Sequence, residues 1–447
     1  MEKKIIGKVC ISVLTVFLGL SVFASPTSIV KDAVKKADIS RTALVSVTFK
    51  EVNTNKVTIN YNSKLPMAAA SVQKLVTTIP ALDKLGDDYE FKTQLYKGAD
   101  KSLYIKLGAD PYLTSRTLRY MVKDLDKYKL DTLDSVYIDD SVMDRIEWGE
   151  GWQWDNTLNP YMPKFGAYNL DSNKLSVIIR PTAQGAPAEI FTSVFYPLAI
   201  ENNVITSNED NIKFSSRDYV EPDSITISGT VQGQVEHIIP INDIRKYFIL
   251  RLKDSFRKNK IAYYGKFERK EVPANATLVS ENKTSIEKAA YDILRKSDNM
   301  MAETIFKLSG NGTVSEAVKV FNDYYSAQNI SIEGVKITDG SGVSKNNLLN
   351  SDFITAVLVK DYSKEKSIKK YMAVPGVGTL SNRMLYFKDK LFAKTGTLQN
   401  VSAIAGYLTA ESGKTYAFCI IINDAKSTGF EKKAFEEYVL RTAYEAL

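Results

Sequence analysis

Two apolar runs near the C-terminus, residues 402–409 and 415–423, are separated by Glu411-Ser412-Gly413. Runs of that length and composition around a turn predict two strong strands of an antiparallel sheet. Such a pair cannot stand alone in water, so other strands and helices must cover it. Residues 432–446 supply one helix at the end of the chain, and residues 28–37 supply another near its start. Residues 43–50 alternate as a strand, Asn53-Thr54-Asn55 turns, and residues 56–61 return. A helix at each end with antiparallel strands beside it predicts one domain assembled from both termini.

Between the ends the pattern changes. Residues 70–85 have helical spacing and stop at Gly86, with Pro80 inside, which predicts a kink or an early break. From residue 89 to 264 short Val/Ile/Tyr-rich stretches alternate with Gly, Asn, Asp and Pro turns, as in Ser224-Ile225-Thr226-Ile227-Ser228-Gly229. Helical patterning resumes at 286–296 and 300–308. The expected fold class is α+β: an antiparallel sheet flanked by helices, formed by 25–88 and 265–447, with 89–264 as a large β-rich insertion.

The first 24 residues read differently. Met1-Glu2-Lys3-Lys4 and Lys8 precede an uncharged apolar run, which ends at Val22-Phe23-Ala24. This is the pattern of a secretory signal peptide cleaved near Ala24, the competing reading being an uncleaved anchor. The run is short for a full membrane span. Removal of Cys10 with this segment leaves one thiol, Cys419, inside a strand and inert.

Composition excludes several chemistries. The 447 residues are 44% hydrophobic and 25% charged, the balance of a globular chain with room for about three domains. Two cysteines make neither a disulfide framework nor a cysteine metal site. The only histidine is His237. A Ser-His-Asp hydrolase, a Cys-His protease or a His-rich zinc enzyme would rest on that residue alone, and nothing near it offers a catalytic partner, so it reads as structural. The formal charge is +7, but acidic residues are mixed in throughout and no basic stripe is interleaved with aromatics. Nucleic acid is not an expected partner.

Three short motifs remain. Ser71-Val72-Gln73-Lys74 opens a predicted helix, where residues three apart share a face. A serine hydroxyl becomes a nucleophile when a base takes its proton, and a neutral lysine one turn away can be that base. Desolvation and a second cation both favour the neutral amine. Ser297-Asp298-Asn299 lies between two predicted helices. Its hydroxyl and amide suit proton relay and carbonyl binding, while the same three residues also suit a plain helix N-cap. Lys394-Thr395-Gly396-Thr397 precedes the strand pair. A lysine beside a hydroxyl on a strand suits a carboxylate, and glycine permits close backbone approach; the string also fits a turn.

In this order, behind a signal peptide, the three motifs resemble those of the penicillin-recognising serine D,D-peptidases. The chain is similar to their D-alanyl-D-alanine carboxypeptidase/endopeptidase branch, the penicillin-binding protein 4 type of peptidase family S13. Further strings support the likeness: Gly108-Ala109-Asp110-Pro111, with Ala109 where the family has glycine; Ile138-Asp139-Asp140-Ser141; Asp339-Gly340-Ser341-Gly342-Val343-Ser344; and Gly378-Thr379-Leu380 with Arg383, preceded by Val377 where an acid is usual. The resemblance runs from about Ala43 to the C-terminus.

The resemblance implies a β-lactamase/D,D-peptidase-like fold and hydrolysis of a D-Ala-D-X bond in peptidoglycan stem peptides through an acyl-enzyme. Ser71 is then the nucleophile, Lys74 the general base, Ser297 the proton relay and Asn299 a holder of substrate and Lys74. Lys394 and Thr395 bind the terminal carboxylate, and the N–H groups of Ser71 and Thr397 form the oxyanion hole. Asp139 or its neighbour Asp140 meets a free amine on the third stem residue. No metal or cofactor is required, penicillins are covalent inhibitors, and the protein works in the cell envelope or periplasm. A serine β-lactamase or esterase of the same fold is the rival enzyme, and a non-catalytic cell-wall binding module the rival of another class. Asn346-Asn347-Leu348-Leu349-Asn350 lacks the carboxylate a class A β-lactamase needs to activate its deacylating water. The tryptophans Trp148, Trp152 and Trp154 suit loop packing or contact with glycan.

Overall fold

The structure, a computed structural model, describes residues 26–216 and 223–447. The expected signal peptide, residues 1–24, lies outside the described residues.

The two apolar runs form the strands Val401–Thr409 and Thr415–Asn423, at the centre of a five-stranded sheet. Its order is Leu391–Leu398, Val401–Thr409, Thr415–Asn423, Leu44–Glu51, Val57–Tyr61, with every neighbouring pair antiparallel. Strands from both ends of the chain thus meet in one sheet. Successive side chains leave a strand on opposite faces, so a strand covered on both sides reads as continuously apolar. Ile404, Phe418, Ile420 and Ile422 pack with the terminal helices Pro26–Lys36 and Gly429–Ala446. Ala403, Ala405, Tyr407, Ala417, Cys419 and Ile421 pack on the other face, in a core with the helices Gln73–Leu85, Asn299–Ser309, Val314–Ala327 and Ser351–Tyr362. Cys419 is fully buried there, and burial pushes its thiol pKa well up.

Pro80 neither breaks the helix nor leaves its lost hydrogen bond open. The helix Gln73–Leu85 continues through it. Proline has no N–H to give the carbonyl four residues back, that of Val76. The buried Tyr325 hydroxyl donates to Val76 O instead, at 2.7 Å. Tyr325→Phe keeps the ring and removes the donor, leaving a buried carbonyl unpaired. The expected loss is about 1–3 kcal/mol of stability, read as a lower urea midpoint; an unchanged midpoint refutes this account of how Pro80 is tolerated.

The β-rich middle holds a second five-stranded sheet, ordered Phe267–Arg269, Ser135–Asp139, Ser102–Lys106, Glu90–Lys97, Thr277–Ser285. Two of these strands lie beyond residue 264, so the sheet of the middle block runs on to Ser285 and crosses the expected boundary. Two three-stranded sheets share its core. The block also contains the helices Ser115–Lys123 and Ile244–Lys258, which the strand-like composition hides. In the second, Ile244, Tyr247, Phe248, Arg251, Leu252, Ser255 and Phe256 are buried at helical spacing, and Asp243 caps its start by accepting from Lys246 N at 2.8 Å.

Candidate active site

Ser71 lies in a single 3₁₀ turn, Ala70–Val72, that runs straight into the helix Gln73–Leu85. Ala70 is held at φ +47°, an uncommon backbone for a residue with a Cβ. Lys74, one turn on, is fully buried, and its Nζ lies 2.9 Å from Ser71 Oγ. Two more contacts complete its surroundings: Asn299 Oδ1 at 2.6 Å and the Ser341 carbonyl at 2.7 Å. Asn299 Nδ2 donates to Tyr161 O at 2.7 Å, which fixes the amide with its oxygen toward the lysine. Lys74 therefore gives two N–H groups to acceptors that cannot donate back. Its third direction, a lone pair when the amine is neutral, faces the serine hydroxyl. Burial pulls the Lys74 pKa down to about 8, against the opposing charges of Asp339, Glu303 and Asp298.

Ser297-Asp298-Asn299 divides its duties. The helix Ile286–Tyr291 widens into the π turn Asp292–Lys296, and Ser297 follows in the left-handed region at φ +67°. Asp298 is the N-cap, accepting from Met301 N at 2.9 Å. The residues on either side of the cap are the ones turned to the lysines. The N-cap reading and the chemical reading are thus both realised, by different residues of one tripeptide.

Lys394, buried in the edge strand Leu391–Leu398, donates from Nζ to Ser297 Oγ at 2.8 Å and to Thr395 O at 2.7 Å. Burial, and then the Lys74 charge, holds its pKa well below the usual lysine range. Ser71, Ser297, Asn299, Thr395 and Thr397 line one cleft of about 780 Å³, with Gln153, Asn156 and Tyr161 of the inserted block on its wall.

Gly396 permits a close backbone approach within the protein itself. A Cβ there would fall 2.7 Å from Ala69 O and 3.0 Å from the backbone nitrogens of Ser71 and Val72. The close approach is to the serine's own turn, and it brings the N–H of Ser71 beside the strand that carries Thr397. Gly396→Ala pushes strand and turn apart, and a displacement near 1 Å costs about 10²-fold in rate. Slow penicillin labelling of a folded G396A protein is the expected result; labelling at the wild-type rate refutes it.

The family model described as D-Ala-D-Ala carboxypeptidase 3 (S13) matches residues 28–443. The chain belongs to this S13 family. It is 24% identical over 415 residues to the D-alanyl-D-alanine carboxypeptidase DacB of Haemophilus influenzae, covering 86% of each chain. It is 23% identical over 392 residues to a D-alanyl-D-alanine carboxypeptidase of Actinomadura sp. (strain R39), covering 79% of this chain and 73% of that one. Penicillin-binding protein 4 of H. influenzae shares the fold, with a TM-score of 0.83 at 22% identity over 93% of this chain and 99% of that one.

Not every residue expected at the S13 site lies there. Asp139 does not line the cleft. It is buried at a strand end, accepting from Ser141 N at 3.2 Å, Ser141 Oγ at 2.6 Å and Val272 N at 3.3 Å. Asp140 accepts from Arg269 Nε at 2.6 Å and Tyr168 OH at 3.0 Å. Both carboxylates hold the second sheet together. His237 lies beside Phe214, ring centroids 4.8 Å apart, and is likewise absent from the cleft lining.

Of the other family-like strings, Val343 and Thr379 line the cleft and the remaining residues lie outside its lining. Ala109 sits at φ +53°, where glycine is the easier residue. The Asp339 carboxylate accepts from Gly342 N at 2.8 Å, Ser344 N at 2.6 Å, Asn347 Nδ2 at 2.8 Å and Trp152 Nε1 at 2.8 Å. Trp152 is buried against Trp148 and Phe165, whereas Trp154 is exposed. The Asp339 bond therefore ties the inserted block to the loop behind Lys74. Asn350 caps the helix Ser351–Tyr362 by accepting from Phe353 N at 2.8 Å, so its string is structural. Arg383 pairs with the buried Glu436 at 2.8 Å, beneath the sheet. Glu303, Tyr161 and Ser341 complete the surroundings of Lys74; Ser341 lies in the Asp339–Ser344 string, while no sequence pattern singled out Glu303 or Tyr161.

Proposed function

We propose that this S13 enzyme hydrolyses the D-Ala-D-X bond of peptidoglycan stem peptides through an ester on Ser71. The observation that carries the reading is the buried Lys74 amine, held by two carbonyl oxygens with its remaining direction on the serine hydroxyl. Lys74 takes the hydroxyl proton as Ser71 Oγ attacks the carbonyl carbon of the penultimate D-alanine. The N–H groups of Ser71 and Thr397 receive the oxyanion, a contribution of about 3 kcal/mol per donor. Ser297, linked to Lys394, relays the proton to the leaving amine as the C–N bond breaks. Lys394 and Thr395 hold the terminal carboxylate of the substrate. Water then cleaves the ester and returns the proton to Ser71.

A β-lactam carries an amide carbonyl and a carboxylate in a similar relation, and one solved relative, penicillin-binding protein 4 of H. influenzae, is complexed with such a compound. Penicillins are accordingly covalent inhibitors here. No carboxylate is among the residues lining the cleft, so nothing placed like a deacylating base favours fast penicillin turnover. The N-terminal pattern supports export to the envelope, with cleavage near Ala24. We also read 25–88 and the part after Ser285 as the peptidase domain, with the block between them as its insertion.

The test is mass spectrometry of purified cell wall after incubation with the enzyme. Loss of terminal D-alanine or of D,D-cross-links supports the reading, and separates carboxypeptidase from endopeptidase action. Steady nitrocefin hydrolysis with an unaltered cell wall replaces it with a β-lactamase, and binding to cell wall with neither reaction replaces it with a binding module.

A further inference from the structure

We propose that Glu303 is a positioning residue for Lys74: it holds the backbone N–H groups of Gly340 and of Ser341, the residue whose carbonyl takes the amine, and its carboxylate, when ionised, places negative charge behind that loop. The proposal rests on Lys74 being the base. Glu303 lies on the helix Asn299–Ser309 one turn after Asn299, and residues four apart share a face. It is fully buried. Its Oε2 accepts from Gly340 N at 3.0 Å and its Oε1 from Ser341 N at 2.8 Å. The carbonyl of that same Ser341 accepts from Lys74 Nζ. One helix face thus grips the amine twice, directly through Asn299 and, by way of Glu303, through the backbone of Ser341. Gly340 makes the contact close, since a Cβ there would fall 2.6 Å from Phe306 Cβ and 2.9 Å from Ala302 O.

Holding the loop does not by itself explain a buried carboxyl group. Asp339 already ties down Gly342, Ser344 and Asn347. Burying a further carboxylate is costly unless an opposite charge or strong donors answer it. The groups that face Lys74 are Glu303 and Asp298 from the helix 299–309 and its cap, Asp339 from the loop, and Lys394 from the edge strand. Glu303 itself is pushed upward by burial and by Asp339, while the two backbone N–H donors pull it back. Its charge, where present, favours the protonated lysine. Removal of that charge therefore frees the amine at lower pH.

The experiment is the pH dependence of acylation by a fluorescent penicillin, for wild type, Glu303→Gln and Glu303→Asp. In E303Q the acid limb moves to lower pH by about one unit, with a lower plateau from the disturbed peptide. In E303D, which keeps a charge on a shorter arm, the plateau falls and the limb stays near that of wild type. A plateau lowered at every pH with an unmoved limb in E303Q overturns the proposal and leaves Glu303 a packing role. Should E303Q not fold, infrared titration of the buried carboxyl band in wild type and Lys74→Met decides. A midpoint raised by loss of the cation supports the coupling, and an unmoved midpoint overturns it. Failure of wild type to be acylated at all would instead sink the assignment of Ser71 and Lys74.

Discussion

Replacing Ser71 by alanine removes covalent labelling by penicillin entirely and lowers D-alanine release on the order of 10⁴-fold or more. No other residue can take over. The ester needs an oxygen at the mouth of the cleft, within reach of both the base and the oxyanion donors, and the base is directed at this hydroxyl alone. Ser297 Oγ is engaged by Lys394 rather than Lys74. His237, which might otherwise suggest a second hydrolytic centre, lies against Phe214 and not in the cleft. The fold should survive the change, because Ser71 Oγ anchors no buried network beyond its contact with Lys74. Intact protein mass after incubation with a penicillin reads the result. An adduct on S71A at the wild-type rate would falsify the nucleophile.

The second large effect is on Lys74. Its amine works only when neutral, and burial brings its pKa from the ordinary lysine value down to about 8. A lowered lysine pKa means the proton leaves earlier as pH rises, so acylation speeds up with pH. Between about pH 7 and about pH 9 the neutral fraction grows roughly tenfold, and the acylation rate follows. Lys74→Arg keeps the positive charge and much of the bulk, but a guanidinium stays protonated and has no lone pair to offer. It is expected to lower acylation by about 10³-fold or more and to flatten the pH profile. Stopped-flow acylation across the pH range measures both. A flat wild-type profile would show that another group takes the serine proton.

The local parts of this protein were legible before its structure. The central strands 401–409 and 415–423 carry apolar side chains on both faces, and burial on both faces is what the structure shows. Ser71 and Lys74 meet because three residues make almost one helical turn, a relation that needs no tertiary contact. The helix Ile244–Lys258 has its buried residues at helical spacing, but it lies in a region whose Val/Ile/Tyr content is that of strands. Asp139 looked chemical because it ends a strand in a familiar string; its carboxylate is spent on the turn that follows.

Local spacing could not disclose the meetings across long separations. Asn299 reaches Lys74 over 225 positions, a contact that only the family resemblance implied, and the Ser341 carbonyl reaches it over 267. Glu303 has no local mark, being one acidic residue on a helix, and it becomes important only because close packing buries it against the backbone N–H groups of Gly340 and Ser341. The Tyr325 hydroxyl that answers Pro80 comes from 249 positions away. Short motifs specify which groups can react, since their spacing fixes local geometry. The protonation state, the direction of the lone pair and the width of the cleft arise from desolvation and from partners that distant segments bring, and those follow from how the whole chain packs.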